Sequence, residues 1–206
     1  MGVLVKICGI TRLEDALEAC RLGADALGFV FHKPSPRYIE PEKAAEIISN
    51  VPRLVTTVGV FVDLPAEEVR DIAVTTGLDR AQLSGQESPE YCRGLGVNWI
   101  KGFRLSSKND LKKISEYETG GDILLDSYVK GVPGGTGESF NWEWAAMART
   151  HGRVILAGGL RAGNVAAAIR TASPYAVDVS SGVESAPGIK DHKKLAAFFK
   201  AVNSAN

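Results

Sequence analysis

Val3-Leu4-Val5-Lys6-Ile7-Cys8-Gly9-Ile10-Thr11 opens with an apolar run that stops at a thiol. A glycine follows at once, and Leu13-Glu14-Asp15 begins an acidic, helix-like stretch. The order predicts a strand, a tight turn and a helix, with Cys8 at the strand's C-terminal tip. The same unit recurs along the chain. Strands are expected at Val3–Cys8, Ala26–Phe31, Val55–Val62, Arg80–Leu83, Trp99–Phe103, Ile123–Asp126, Val154–Ala157 and Ala176–Val179. Helices are expected between and after them, at Leu13–Leu22, Pro41–Asn50, Pro65–Thr75, Pro89–Leu95, Asn109–Glu118, Trp142–Thr150, Ala162–Thr171 and Lys190–Ala201. Pro41, Pro65 and Pro89 stand where a missing N–H costs least, at helix starts. Gly23, Gly77 and Gly96 stand where helices stop.

Strands alternating with helices imply right-handed parallel βαβ units. Eight such units in 206 residues predict a single-domain (β/α)8 TIM barrel over residues 1–206, near the lower size limit of that fold. The competing open doubly wound sheet carries fewer strands and places its phosphate turn early. Here the glycine-rich turns come late, after the seventh and eighth strands, where barrels place them. No linker, low-complexity tract or charge block marks a second domain.

Composition narrows the function classes. The 24 basic and 24 acidic residues cancel, which argues against bulk nucleic-acid binding or attraction to anionic membranes, so any anion recognition is local. Cys8, Cys20 and Cys92 are an odd, widely spaced set with no metal-ligand spacing, so neither a disulfide framework nor a metal site is expected, and a reducing compartment fits better. The N-terminus has no secretory signal pattern, and no apolar run approaches the roughly 18 residues of a membrane span, so the expected location is the cytoplasm. The absence of an obvious exposed apolar stripe points to a monomer.

Residues two apart on a strand share a face. If Cys8 faces the barrel interior, so does Lys6, and Asp178 and Ser180 share one face of the eighth strand. The first and eighth strands are neighbours in a closed barrel, so Lys6 and Asp178 are expected to pair inside it, because an unpaired charge there is very costly. A cation one layer below Cys8 also favours its thiolate. Cys8 itself reads either as a small apolar filler or as a reagent. Cys20 and Cys92 read as helix packing. Asp126 ends Ile123-Leu124-Leu125-Asp126 at the catalytic face, which suits acid–base work or the ordering of the next loop. That loop, Lys130–Gly137, is long enough to fold over a ligand. Gly158-Gly159 and Ser180-Ser181-Gly182 can bring backbone N–H groups and hydroxyls to an oxyanion, with a short helix beginning near Gly182. Arg37, on the stiff loop His32-Lys33-Pro34-Ser35-Pro36-Arg37, can hold a carboxylate in a bidentate pair or remain a surface arginine. His32 and His151 have no evident partner and read as structural or surface residues. The set suits proton shuffling on a small phosphorylated substrate that also carries a carboxylate.

These residues resemble a known family. Lys6–Thr11, Gly28-Phe29-Val30-Phe31 with Ser35-Pro36-Arg37-Tyr38, Val58-Gly59-Val60-Phe61, Gln82-Leu83 and Leu124–Ser127 are similar, in order, to signatures of the phosphoribosylanthranilate isomerases of tryptophan biosynthesis. So are Gly134-Gly135-Thr136-Gly137, Leu156–Arg161, Asp178–Glu184 and Pro187–Asp191. The resemblance implies an Amadori rearrangement of N-(5-phosphoribosyl)anthranilate to the 1-(o-carboxyphenylamino)-1-deoxyribulose 5-phosphate. It implies Asp126 as general acid and Cys8 as general base, without cofactor or metal. It places phosphate on Gly158, Gly159 and Ser180–Gly182, the anthranilate carboxylate at Arg37, and Gln82 against the substrate. One departure stands out: the family commonly has Gln-Leu-His-Gly where this chain has Gln82-Leu83-Ser84-Gly85. Two other readings remain. A histidine-pathway aldosylamine isomerase of the same fold is expected to carry an aspartate where Cys8 stands, and a barrel that binds a phosphorylated aromatic ligand without turning it over is favoured only by Ser84.

Overall fold

The structure, a computed structural model, describes residues 2–105, 107–117, 122–126 and 142–205. Eight parallel strands close into a barrel in sequence order: β1 Leu4–Cys8, β2 Ala26–Val30, β3 Thr56–Phe61, β4 Arg80–Leu83, β5 Trp99–Arg104, β6 Asp122–Asp126, β7 Arg153–Ala157 and β8 Ala176–Val179. The closing pair, β1 with β8, sets Lys6 beside Asp178. The helices are α1 Leu13–Arg21, α2 Pro41–Ser49, α3 Ala66–Thr76, α4 Pro89–Gly94, α5 Leu111–Ile114, α6 Trp142–Ala148, α7 Val165–Ala172 and α8 His192–Asn203. A short antiparallel hairpin, β9 Glu184–Ala186 with β10 Ile189–Lys190, precedes α8.

The strands are apolar nearly throughout because both of their faces are buried. In β1, Val5 and Ile7 pack into the outer core between barrel and helices. Leu4 joins Ala26, Val58, Ile100, Leu124, Ile155 and Ala176 in a separate inner cluster. At the N-terminal end of the barrel, Asp122 is buried and bound by both Arg80 and Arg153. At the opposite, C-terminal end, residues at the strand tips line a cavity.

Local chemistry sets the helix ends. Pro41 and Pro89 occupy first-turn positions, whereas Pro65 sits one place earlier, as the cap of α3. Gly77 ends α3 in the left-handed region at φ 70°, a conformation in which a Cβ would be strained. The helix expected over Asn109–Glu118 is shorter and broken. A capping box between Ser107 and Asp110 starts a 3-10 turn, α5 spans Leu111–Ile114, and a second 3-10 turn covers Ser115–Tyr117. The Ser115 hydroxyl donates to the Lys112 carbonyl at 2.7 Å, a local bond that competes with continued helix. The helix expected from Lys190 begins instead at His192. Asp191 caps it by accepting from the amides of Lys193 and Lys194, which leaves Lys190 in β10. Among the described residues no helix is long and apolar enough to cross a membrane.

Candidate active site

Beneath the mouth of the barrel, Lys6 and Asp178 form the ion pair expected from strand parity, Nζ to Oδ1 2.8 Å, with Lys6 only 2% exposed. Burial alone would discharge the ammonium. Asp178 and Cys8 outweigh it and hold the Lys6 pKa above its ordinary value.

Cys8 ends β1 as expected, but it does not open to solvent. It is 8% exposed and packs with Val30 and Val60. Lys6 favours the Cys8 thiolate, as expected, but burial adds a larger opposing influence. Burial is the largest influence and raises the thiol pKa; Lys6 pulls it down, Asp178 pushes it up, and Lys190 pulls it down again, with burial prevailing. The free thiol is therefore the resting form at neutral pH.

Above Cys8 lies a cavity of about 590 Å3. Val30 and Val60 form part of its wall, and so do Arg37, Gln82, Asp126, Gly158, Gly159, Asp178 and Ser180–Gly182. Every residue proposed from the sequence for the site thus reaches this cavity except Lys6 and Cys8, which stay below it. His32 is also on its wall, at a place the sequence did not assign it.

Asp126 is the last residue of β6, in register with Arg104 on one side and Ala157 on the other. Its carboxylate is partly exposed, with Oδ2 4.0 Å from Nε of the exposed Arg104. The loop Lys130–Gly137 lies outside the described residues. The two glycine turns meet each other. Gly158 and Gly159 both take positive φ, at 84° and 62°. Asn164 braces their turn, accepting from the Arg161 amide at 2.8 Å and donating to the Gly159 carbonyl at 3.1 Å. A single 3-10 turn over Ser181–Val183 follows β8, close to the short helix expected near Gly182. A Cβ on Gly182 would lie 1.9 Å from the Leu160 carbonyl oxygen, so only glycine permits the contact between the turns. Ser180 Oγ is buried and has no hydrogen-bond partner among the described residues, and neither has Gln82 Oε1. Gln82 Nε2 donates to Ser84 Oγ at 3.0 Å.

Of the two sequence readings of Arg37, the structure shows the bidentate carboxylate pair, but its partner is a carboxylate of the protein itself. Arg37 Nε and Nη2 grip the buried Glu184 at 2.9 and 2.6 Å, and Nη1 takes no part in that pair. Glu184 was not foreseen as a partner; the two lie 147 residues apart in sequence. Lys190 was missed as well. Its ammonium donates to the Cys8 carbonyl at 2.6 Å and to Glu184 Oε1 at 2.8 Å. The one available signal was Asp191, whose capping chemistry puts Lys190 outside the helix. Also missed was a buried pair of Lys101 and Glu87 at 2.9 Å, in which Glu87 accepts from the amides of Asp63 and Gly85 and so holds the turn carrying Ser84.

Residues 5–201 match the family model for N-(5'phosphoribosyl)anthranilate (PRA) isomerase. The N-(5'-phosphoribosyl)anthranilate isomerase of Trichlorobacter lovleyi is 52% identical over 204 residues, covering 98% of this chain and 99% of the relative. That of Geobacter sulfurreducens is 51% identical over 198 residues, covering 96% and 97%. Among solved structures, phosphoribosyl anthranilate isomerase from Thermotoga maritima superposes with a TM-score of 0.92 at 43% identity, covering 98% of this chain and 99% of that one. A phosphoribosyl anthranilate isomerase in complex with reduced 1-(o-carboxyphenylamino)-1-deoxyribulose 5-phosphate superposes with a TM-score of 0.89 at 41% identity, covering 98% and 99%.

Proposed function

The chain belongs to the N-(5'-phosphoribosyl)anthranilate isomerase family, and we propose that Asp126 and Cys8 serve as the acid and the base of its reaction. The activity is the isomerisation of phosphoribosylanthranilate in tryptophan biosynthesis. The substrate is an aldosylamine. Asp126, in its protonated form, gives a proton to the ribose ring oxygen; the bond from C1′ to that oxygen breaks, and the nitrogen lone pair forms the Schiff base. Cys8, as thiolate, takes the proton from C2′. The electrons of that C–H bond form the C1′–C2′ double bond and return the iminium electrons to nitrogen. The enolamine then tautomerises to the ketose. The substrate's nitrogen is the electron sink throughout.

The observation that carries this reading is that one cavity of about 590 Å3 has Asp126 and both glycine turns on its wall and Cys8 just beneath it. The ligand in the solved complex has a phosphate at one end and an aryl carboxylate at the other, so two anion seats are required. Gly158, Gly159 and Ser180–Gly182 supply backbone and hydroxyl donors for the phosphate, including Ser180 Oγ, which has no partner among the described residues. Arg37, oriented by Glu184, offers its remaining N–H groups to the carboxylate. Ser84 is no obstacle, because its hydroxyl is engaged by Gln82. A cytoplasmic setting fits a biosynthetic enzyme with three free cysteines, and size-exclusion chromatography tests the monomer expected from the sequence.

The test makes phosphoribosylanthranilate in situ and follows its fluorescence as it is consumed. Cys8→Ala and Asp126→Asn should each lower turnover on the order of 10²-fold or more while product-analogue affinity is largely kept. Full activity in both variants removes this acid–base pair.

A further inference from the structure

Lys190 belongs to a charge cluster that the acid–base pair does not use. Its side chain is fully buried, and neither it nor Glu184 is on the cavity wall. Placing an ammonium in such a site is costly unless its donors are well matched. All three donors are used. One goes to Glu184 Oε1 at 2.8 Å, one to the Cys8 carbonyl at 2.6 Å and a longer one to the Ser180 carbonyl at 3.4 Å. The two carbonyls are not arbitrary. One belongs to the residue read here as the base, and the other opens the turn read here as the phosphate seat. Glu184 is itself locked, by Nε and Nη2 of Arg37 and by the Gly188 amide at 3.3 Å. The hairpin register that pairs Lys190 with Glu184 sets the cluster in place.

We propose that Lys190 is a positioning residue for the isomerisation: its ammonium ties the main chain at Cys8 to the phosphate turn at Ser180, with the Glu184–Arg37 pair holding the ammonium in place. The proposal rests on the reading of Cys8 as the base. It gives Arg37 two tasks, since the same guanidinium faces the cavity and completes the clamp behind it. It also gives the cluster an electrostatic consequence. Among the described residues, the charged groups acting on Cys8 are Lys6 on β1, Asp178 on β8, Lys190 on β10 and Arg37 on the loop before α2. Lys6 and Asp178 offset one another. Arg37, Glu184 and Lys190 together leave one net positive charge, so removing Lys190 leaves two neutral pairs around the thiol.

The test uses the full chain with Cys20→Ala and Cys92→Ala, so that Cys8 is the only thiol. Thiolate ultraviolet absorbance is titrated against pH, with the matching Cys8→Ser protein subtracted to remove tyrosine, and kcat and KM are measured alongside. Lys190→Met should move the thiol midpoint upward by about one pH unit, a tenfold loss of thiolate. It should lower kcat at least tenfold and weaken product-analogue binding severalfold. Lys190→Arg should restore most of the titration, because the charge remains, while a planar head that cannot serve both carbonyls keeps kcat at least threefold low. An unmoved titration together with an unchanged kcat in Lys190→Met overturns the proposal, even where Cys8→Ala abolishes turnover. If Lys190→Met does not fold, Lys190→Arg decides alone, and a wild-type kcat in it overturns the proposal.

Discussion

Replacing Asp178 by leucine would strand the Lys6 ammonium inside the barrel. The pair is 2.8 Å apart with side-chain exposures of 3% and 10%. At that separation the Coulomb attraction is about 6 kcal/mol for an effective dielectric near 20. Most of it offsets desolvation, so the net value of the pair is small, but the loss of one partner is not. Breaking a buried pair from one side costs about 3–5 kcal/mol. For a chain of this length that is a fall in Tm of about 6–20 °C. The cost has a definite origin: burial is the largest influence on Lys6, and among the described residues Asp178 and Cys8 oppose it. Asp178→Leu therefore lets burial prevail, and the lysine either stays charged at a cost or gives up its proton. Lys6→Met combined with Asp178→Leu removes both charges and should recover stability to within about 1 kcal/mol of the parent, or exceed it. The assay is urea unfolding followed by tryptophan fluorescence for the parent, the single variant and the double variant. A single variant within about 1 kcal/mol of the parent, or a double variant no more stable than the single, would refute the argument.

Three further outcomes are expected. Gly182→Ala should weaken binding of the phosphorylated product analogue at least tenfold, because its Cβ would lie 1.9 Å from the Leu160 carbonyl oxygen and drive the two turns apart; isothermal titration calorimetry checks it, and unchanged affinity counts against the phosphate seat. Because burial raises the Cys8 thiol, kcat/KM should keep rising with pH through the ordinary cysteine range near 8.5, and a plateau below about pH 7 would contradict a thiolate base. The buried Asp15 is pushed up by desolvation but held below its usual value by Arg12, the Lys190 amide and His192. Its contribution to stability is therefore complete above about pH 4 and is lost as the pH falls through its folded value, so Asp15→Asn should flatten the acid limb of a stability–pH curve.

Much of the site was legible along the chain because strand parity is a local property. Alternation in Leu4-Val5-Lys6-Ile7-Cys8 put Lys6 and Cys8 on one face, and closure of β1 onto β8 gave Lys6 its partner in Asp178. Asp126, Gly158, Gly159 and Ser180–Gly182 were found by their places at strand ends, and all of them reach the cavity. The eight strand positions were also legible, because apolar runs bounded by turn residues announce themselves within a few residues.

The rest depended on contacts between residues far apart in sequence. The chain alone determined an eight-unit parallel barrel, the order of its elements and the face each candidate residue occupies, since these follow from backbone geometry and burial along each segment. Only the tertiary structure decided that Arg37 is committed to Glu184, that Lys190 reaches back 182 residues to the Cys8 carbonyl, and that burial outweighs the cations around the thiol. Charge pairing and desolvation depend on distances in space, and no pattern of neighbouring residues encodes them.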